Sequence, residues 1–283
     1  MKHSNATRLH LNDMEYRVAH YPNPGADPAI FLIGNLQEIE SVENFSKAFQ
    51  EEMDVYCVEL PGCGLTAPLH ACYGMAEHAD LLARLVEHLQ LTHFHLLVFS
   101  YSTPIALEYC RKYPGRVMSL ALGGSMADIP GEKRGPTLSL VNEVLHDRTK
   151  FADSFIGGLT SDQCTGKRAV AIRRAALRKC RQYTDSQIWC FIENTVRICA
   201  YQFHHPEEIE VPHALCFTGA LDVYVKPVWC RKLAESIGAE FTLIDGCDHL
   251  FHLEQPEITA SLMMRPYFAS KQQDNLPAAR LTA

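Results

Sequence analysis

The chain has 283 residues, 47% hydrophobic and 21% charged, a globular composition with ample material for a large core. Its 33 acidic and 26 basic residues leave a net charge of −7, which excludes a global pull toward nucleic acid. No window reaches the roughly 18 consecutive apolar residues of a membrane span, and the opening "MKHSNATRLHLNDMEY" lacks a signal peptide's apolar stretch, so a cytoplasmic protein is expected.

In chain order, "RLHLND" and "EYRVAHY" read as two short strands joined by an Asn-Asp turn. "AIFLIG" (29–34) has the continuous apolar character of a buried parallel strand. "SVENFSKAFQEE" places Val42, Phe45 and Phe49 at helical spacing, and "DVYCVEL" (54–60) is the next strand. A strongly periodic helix, "MAEHADLLARLVEHLQL", leads to the strand "HFHLLVF", the helix "TPIALEYCRKY" and the strand "VMSLALGG" (117–124). This alternation predicts an α/β fold with a mostly parallel sheet covered by helices on both faces. From 127 to 210 only helical segments are legible, so a helical cap inserted between core segments 1–126 and 211–270 is expected. The alternation resumes with "HALCFTG" (213–219), "PVWCRKLAESIG" and "EFTLIDG" (240–246), and 271–283 reads as a loose tail.

The chemistry gathers around "HFHLLVFSYSTPIALEYCRKYP" (93–114), where an apolar strand runs into a serine and then a helix. A serine on such a turn has an exposed hydroxyl, and the next amide points toward a developing oxyanion. The alternative is a plain serine cap on a helix. The segment after Pro104 resembles the helix that follows the nucleophile in α/β-hydrolases, and counting back from Ile105-Ala106-Leu107-Glu108 selects Ser100, with Ser102 as the alternative. The usual G-x-S-x-G is absent: Val98 and Ser102 stand at the glycine positions.

Three further stretches resemble that superfamily in its serine-nucleophile branch. "VELPGCGLTAP" (58–68) is similar to its "DlpGxGxS" loop, with Glu59 in place of Asp. "TGALDVYV" (218–225) resembles the acid loop and offers Asp222, and "DGCDHLFHLEQPE" (245–257) resembles the base loop and offers His249, with His252 as competitor. The resemblance implies a Ser100–Asp222–His249 triad, in which imidazole takes the hydroxyl proton and a carboxylate holds its tautomer. It also implies an oxyanion hole from the amides of Tyr101 and of Leu36 or Asn35, since "IGN-L" stands where the family has His-Gly-x.

Shorter matches are similar to the bacterial 3-hydroxyacyl transfer enzymes, the hydroxyalkanoyloxyalkanoate synthase and the hydroxyacyl-carrier-protein:CoA transacylase. They are the aromatic Tyr101 after the serine, Tyr224 two residues past Asp222, and Gly34-Asn35 after the third strand, where that group has the same two residues in swapped order. The Gly-Gly that follows the aromatic in that group is replaced by Ser102 and Thr103.

The expected function is a serine hydrolase of carboxylic esters or thioesters with medium or long acyl chains. The alternatives are an acyltransferase using acyl-CoA or acyl-carrier-protein thioesters, and a catalytically weak binding protein in which Val98 disables the turn. Phe155, Trp189 and Tyr224 are expected to contact the small-molecule acyl substrate. "GKRAVAIRRAALRKCRQ" (166–182), with seven basic residues and no acid, could meet CoA or a carrier protein; the other reading is a solvated helix face over packed Val170, Ile172 and Leu177. No metal site and no cofactor are expected: there is no CxxC pair among 11 cysteines and no HExxH spacing among 14 histidines.

Overall fold

The computed structural model describes residues 6–274. β1 (Ala6–Leu11) and β2 (Met14–Tyr21) form an antiparallel hairpin. Its turn, Asn12 and Asp13, has positive φ at both residues (50° and 62°), the conformation a two-residue hairpin needs and Asn and Asp tolerate. β3 (Pro28–Leu32), β4 (Asp54–Glu59), β5 (Phe94–Phe99), β6 (Val117–Gly123), β7 (Ala214–Gly219) and β8 (Glu240–Ile244) complete one eight-stranded sheet in the order β1-β2-β4-β3-β5-β6-β7-β8. β2 runs antiparallel to β4, and every later pairing is parallel.

Each face of the sheet carries its own apolar core. On one face, Leu32, Leu96, Val98 and Leu122 pack with residues of α2 (Met75–His88), α3 (Thr103–Lys112) and α8 (Pro227–Ser236). On the other, Phe31, Leu97 and Phe99 pack with α1 (Glu43–Gln50) and with Met263 and Tyr267 of the long final helix α10 (Pro256–Asp274), which follows the one-turn α9 (Phe251–Glu254). The alternation within β5 follows from the two-residue period of a strand. It also explains Val98, which is buried beside Leu32 and Leu122 as an ordinary core residue. α10 includes 271–274 of the expected tail, and 275–283 lie outside the described residues.

Between β6 and β7 lie α4 (Gly131–His146), α5 (Arg148–Leu159), α6 (Lys167–Cys180) and α7 (Asp185–Ala200), with no strand among them. Phe151, Ile156, Ile188 and Phe191 join Leu36 in a third apolar cluster, so these helices pack onto the loop after β3. Beneath that loop, Glu59 is fully buried and accepts from Arg17 Nη1 with both oxygens (2.7 Å each) and from the amides of Ile39 (2.8 Å) and Leu65 (2.7 Å). Gly64 (φ +58°) is required there, because a Cβ would lie 2.2 Å from the Glu59 carboxyl carbon. The acid at the start of this loop is therefore structural, and it organises the backbone on both sides.

Candidate active site

β5 delivers Ser100 to the carboxyl end of the parallel sheet, the edge where open α/β sheets bind ligands. Ser100 has φ +48°, a left-handed conformation that costs a residue with a Cβ about 1 kcal/mol or more. A short 3₁₀ turn (Ser100–Ser102) and α3 follow directly. Ser102 faces the other way: it is buried, and its hydroxyl donates to the Ile33 carbonyl at 2.5 Å. Of the two serines, only Ser100 lines the cavity described below.

The Ser100 hydroxyl lies 3.1 Å from His249 Nε2, and His249 Nδ1 lies 2.7 Å from Asp222 Oδ2. Asp222 is held on both oxygens. Oδ2 also accepts from the Thr218 hydroxyl (2.6 Å), and Oδ1 accepts from the amides of Tyr224 (2.9 Å) and Val225 (2.8 Å). Burial pulls the His249 pKa down, but the charge and hydrogen bond of Asp222 outweigh it and leave it above the ordinary histidine value. The His249 amide donates to the carbonyl of Leu159, the last residue of α5, which ties this histidine to the helical segment. Gly124 (φ +63°) lets the chain pass beside the imidazole, since a Cβ there would lie 3.0 Å from His249 Cε1.

His252 is placed differently. Its ring packs among Phe45, Phe99 and Phe251, and its Nε2 lies 3.1 Å from Gln37 Nε2. Burial, helped by the nearby His249, pushes its pKa down to about 3 and keeps it neutral. No bond between His252 and Ser100 occurs among the described residues, whereas His249 has one.

A cavity of about 350 Å³ opens over Ser100 and His249. Asn35, Leu36 and Tyr101 line it on the sheet side, and Phe155, Ile156 and Phe191 line it from the helical segment. Leu36 has φ +60°, and the Gly34 amide beside it donates to Gln37 Oε1 at 2.6 Å, so the loop after β3 has a defined turn. The Tyr101 amide sits in the first turn of a helical segment, where amides have no acceptor within the helix and the helix dipole favours negative charge.

Of the three expected acyl contacts, Phe155 and Tyr224 line the cavity. Trp189 does not: it is 51% exposed. On α7 the cavity-facing residues are Phe191, Thr195 and Ile198, and Trp189 is turned about 160° from Phe191 around the helix axis. Val170 is also more open than expected, at 38% exposure, while Leu177 packs against the third cluster. In the basic segment, Arg173 pairs with Asp162, Lys179 with Glu38 and Arg181 with Asp153, and Arg168 donates to the Leu253 carbonyl. The segment is thus partly neutralised within the chain.

One possible metal-ligand group occurs among the described residues, Cys164 with Asp248 and Glu254. Both Asp248 oxygens already accept from amides, those of Ser161 (3.0 Å) and Leu250 (2.8 Å). These two bonds tie the loop before His249 to Ser161 and to Leu250. Sequence reasoning missed Gln37, Asn194 and Arg197, all polar residues at or beside the site. The one available signal was the pair of polar residues three apart, Asn194 and Arg197, in the apolar run of α7.

A family model described as alpha/beta hydrolase fold matches residues 28–256. A curated relative, the poly(3-hydroxyalkanoate) depolymerase of Ectopseudomonas oleovorans, is 24% identical over 130 residues, 44% of this chain and 46% of that protein. The match thus spans about half of that relative's length. Among solved structures, an alpha/beta hydrolase enzyme from a Medee basin deep-sea metagenome superposes with a TM-score of 0.83 at 17% identity, over 93% of this chain and 97% of that one. An enol-lactonase from Burkholderia xenovorans gives 0.80 at 15% identity (93% and 100% covered), and an esterase from Thermogutta terrifontis 0.76 at 20% (94% and 99%). No helix among the described residues is long and apolar enough to cross a membrane.

Proposed function

Because the chain belongs to the α/β-hydrolase fold family, we propose that it is a hydrolase that cleaves carboxylic esters or thioesters through an acyl-serine. The observation that carries this reading is the continuous hydrogen-bonded path from Ser100 through His249 to Asp222 beside an apolar cavity. In this mechanism His249 Nε2 takes the Ser100 proton as the oxygen attacks the acyl carbon. Asp222 holds Nδ1 protonated and steadies the imidazolium. The tetrahedral oxyanion is received by the amide of Tyr101 and that of Leu36 or Asn35. His249 then returns its proton to the departing alcohol or thiol. Water, deprotonated by the same imidazole, releases the acid and restores Ser100.

Phe155, Ile156 and Phe191 support a medium or long acyl chain, since an apolar cavity of this size can enclose most of one. The depolymerase relative supports 3-hydroxyacyl esters as the first substrates to try. Transfer to another acceptor, from a CoA or carrier-protein thioester, is the second reading. Arg174 and Arg178 favour it, being exposed cations on a helix bordering the cavity.

The test is labelling with a fluorophosphonate followed by intact mass. One adduct is expected on the wild type and none on Ser100→Ala. An unlabelled, inactive wild type, or an adduct that survives Ser100→Ala, overturns the proposal.

A further inference from the structure

The two chain segments proposed to form the oxyanion hole are far apart in sequence, yet their side chains meet at one residue. Asn194, fully buried on α7, donates from Nδ2 to Asn35 Oδ1 (3.1 Å) and to the Gly62 carbonyl (2.9 Å). Its Oδ1 accepts from the Tyr101 hydroxyl (2.9 Å) and from Arg197 Nη1. Two donors and two acceptor positions are thereby filled, the full capacity of a carboxamide. The partners also fix which way the amide faces, because reversing it would set its NH₂ against the guanidinium and its oxygen against the Gly62 carbonyl.

Arg197 completes the arrangement. It is 2% exposed, and among the described residues it has no carboxylate partner. Its Nη1 also donates to the Tyr101 oxygen (2.9 Å), Nη2 donates to the carbonyls of Leu69 (2.6 Å) and His70 (3.0 Å), and Nε donates to that of Tyr73 (2.6 Å). A buried cation satisfied by carbonyls and a phenol holds its surroundings at defined distances, because any shift leaves a charged donor unpaired. With every donor committed to protein, Arg197 is not available to substrate.

Resting on the serine-hydrolase reading above, we propose that Asn194, supported by Arg197, is a positioning residue that holds the two halves of the oxyanion hole at their working separation. Asn35 lies on one half and Tyr101 on the other, and both are cavity-lining residues. Asn194 touches neither the Ser100 hydroxyl nor the base. Its effect is felt where negative charge develops, so it belongs to the transition state more than to substrate binding.

The experiment compares wild type with Asn194→Ala on a p-nitrophenyl ester, with two competitive inhibitors. n-Octylboronic acid forms a tetrahedral adduct on the serine, and n-octanol occupies the apolar cavity without one. In Asn194→Ala, kcat should fall about tenfold or more while KM stays within about twofold. Boronate affinity should fall by a similar factor, and that of n-octanol should hold. A purely structural role would weaken both inhibitors together; that outcome, or an unchanged kcat, overturns the proposal. If Asn194→Ala does not fold, Asn35→Ala removes one arm at a half-buried position. It should show the same pattern at about threefold, and full activity in it refutes the proposal. A wild type that neither labels nor hydrolyses would sink the serine-hydrolase reading itself. An active, labelled wild type with indifferent variants sinks only this inference.

Discussion

Replacing Asp222 by Asn keeps the shape of the acid and turns one acceptor oxygen into an NH₂ donor. Asp222 Oδ1 accepts from the amides of Tyr224 and Val225, so the asparagine oxygen must take that place. The new NH₂ then faces Thr218 and His249 Nδ1. The Thr218 hydroxyl can turn and accept. His249 Nδ1 can accept only if its proton moves to Nε2, and Nε2 then points a hydrogen at Ser100 instead of a lone pair. Reversing the amide avoids this but sets an NH₂ against two backbone donors, which costs more than the tautomer change. The wrong tautomer should lower kcat by about four orders of magnitude, or ~5.5 kcal/mol in the barrier. The melting temperature should change little, because the buried amides keep their acceptor. The pH profile supplies a second readout. Asp222 raises the His249 pKa against the effect of burial. The wild type needs neutral imidazole, so kcat/KM should fall as pH drops through a pKa above the ordinary histidine value. In Asp222→Asn burial is opposed only by the smaller effect of the Asp248 charge, and the acid limb of the residual activity should move to lower pH. The assay is p-nitrophenyl ester hydrolysis across pH, with fluorophosphonate labelling to count competent sites. Activity within tenfold of wild type, or an acid limb that does not move, would refute the tautomer argument.

Ser102→Ala should keep labelling and most activity while losing ~1 kcal/mol of stability, because the Ile33 carbonyl loses its buried donor; loss of labelling with an intact fold would reassign the nucleophile. Gly124→Ala adds a Cβ 3.0 Å from His249 Cε1 at a positive φ, so kcat should drop about tenfold or more through displacement of the base; steady-state kinetics with an unchanged kcat would show that the imidazole tolerates the shift. The double variant Arg174→Glu, Arg178→Glu should raise KM for an acyl-CoA and leave a small neutral ester unaffected, with added salt mimicking it on the wild type. Equal responses of the two substrates would leave the transferase reading without its electrostatic support.

The strands and helices of the core were legible because each carries its own periodicity. β5 is buried at every position and apolar at all but His95, and the two positive-φ residues of the first turn are the Asn-Asp dipeptide. The order Ser100, Asp222, His249 was legible because each residue ends a recognisable strand–loop unit, and the parallel sheet brings such ends to one edge. Val98 looked like a threat to the turn only while β5 was read alone; its neighbours Leu32 and Leu122 make that face a core. Trp189 was assigned to the cavity on its apolarity, but on a helix the direction of each side chain depends on which face packs, and α7 packs through Phe191. Local sequence therefore determined which elements exist, where the loops of the proposed site fall, and which serine, acid and histidine they offer. Only the tertiary structure decided the contacts among residues distant in sequence: Ser102 held by Ile33, His252 sequestered by three phenylalanines, and Asn194 joining Asn35 to Tyr101. Periodicity is a property of neighbouring residues, whereas hydrogen-bond partners are chosen among groups that meet only when helices and sheet dock.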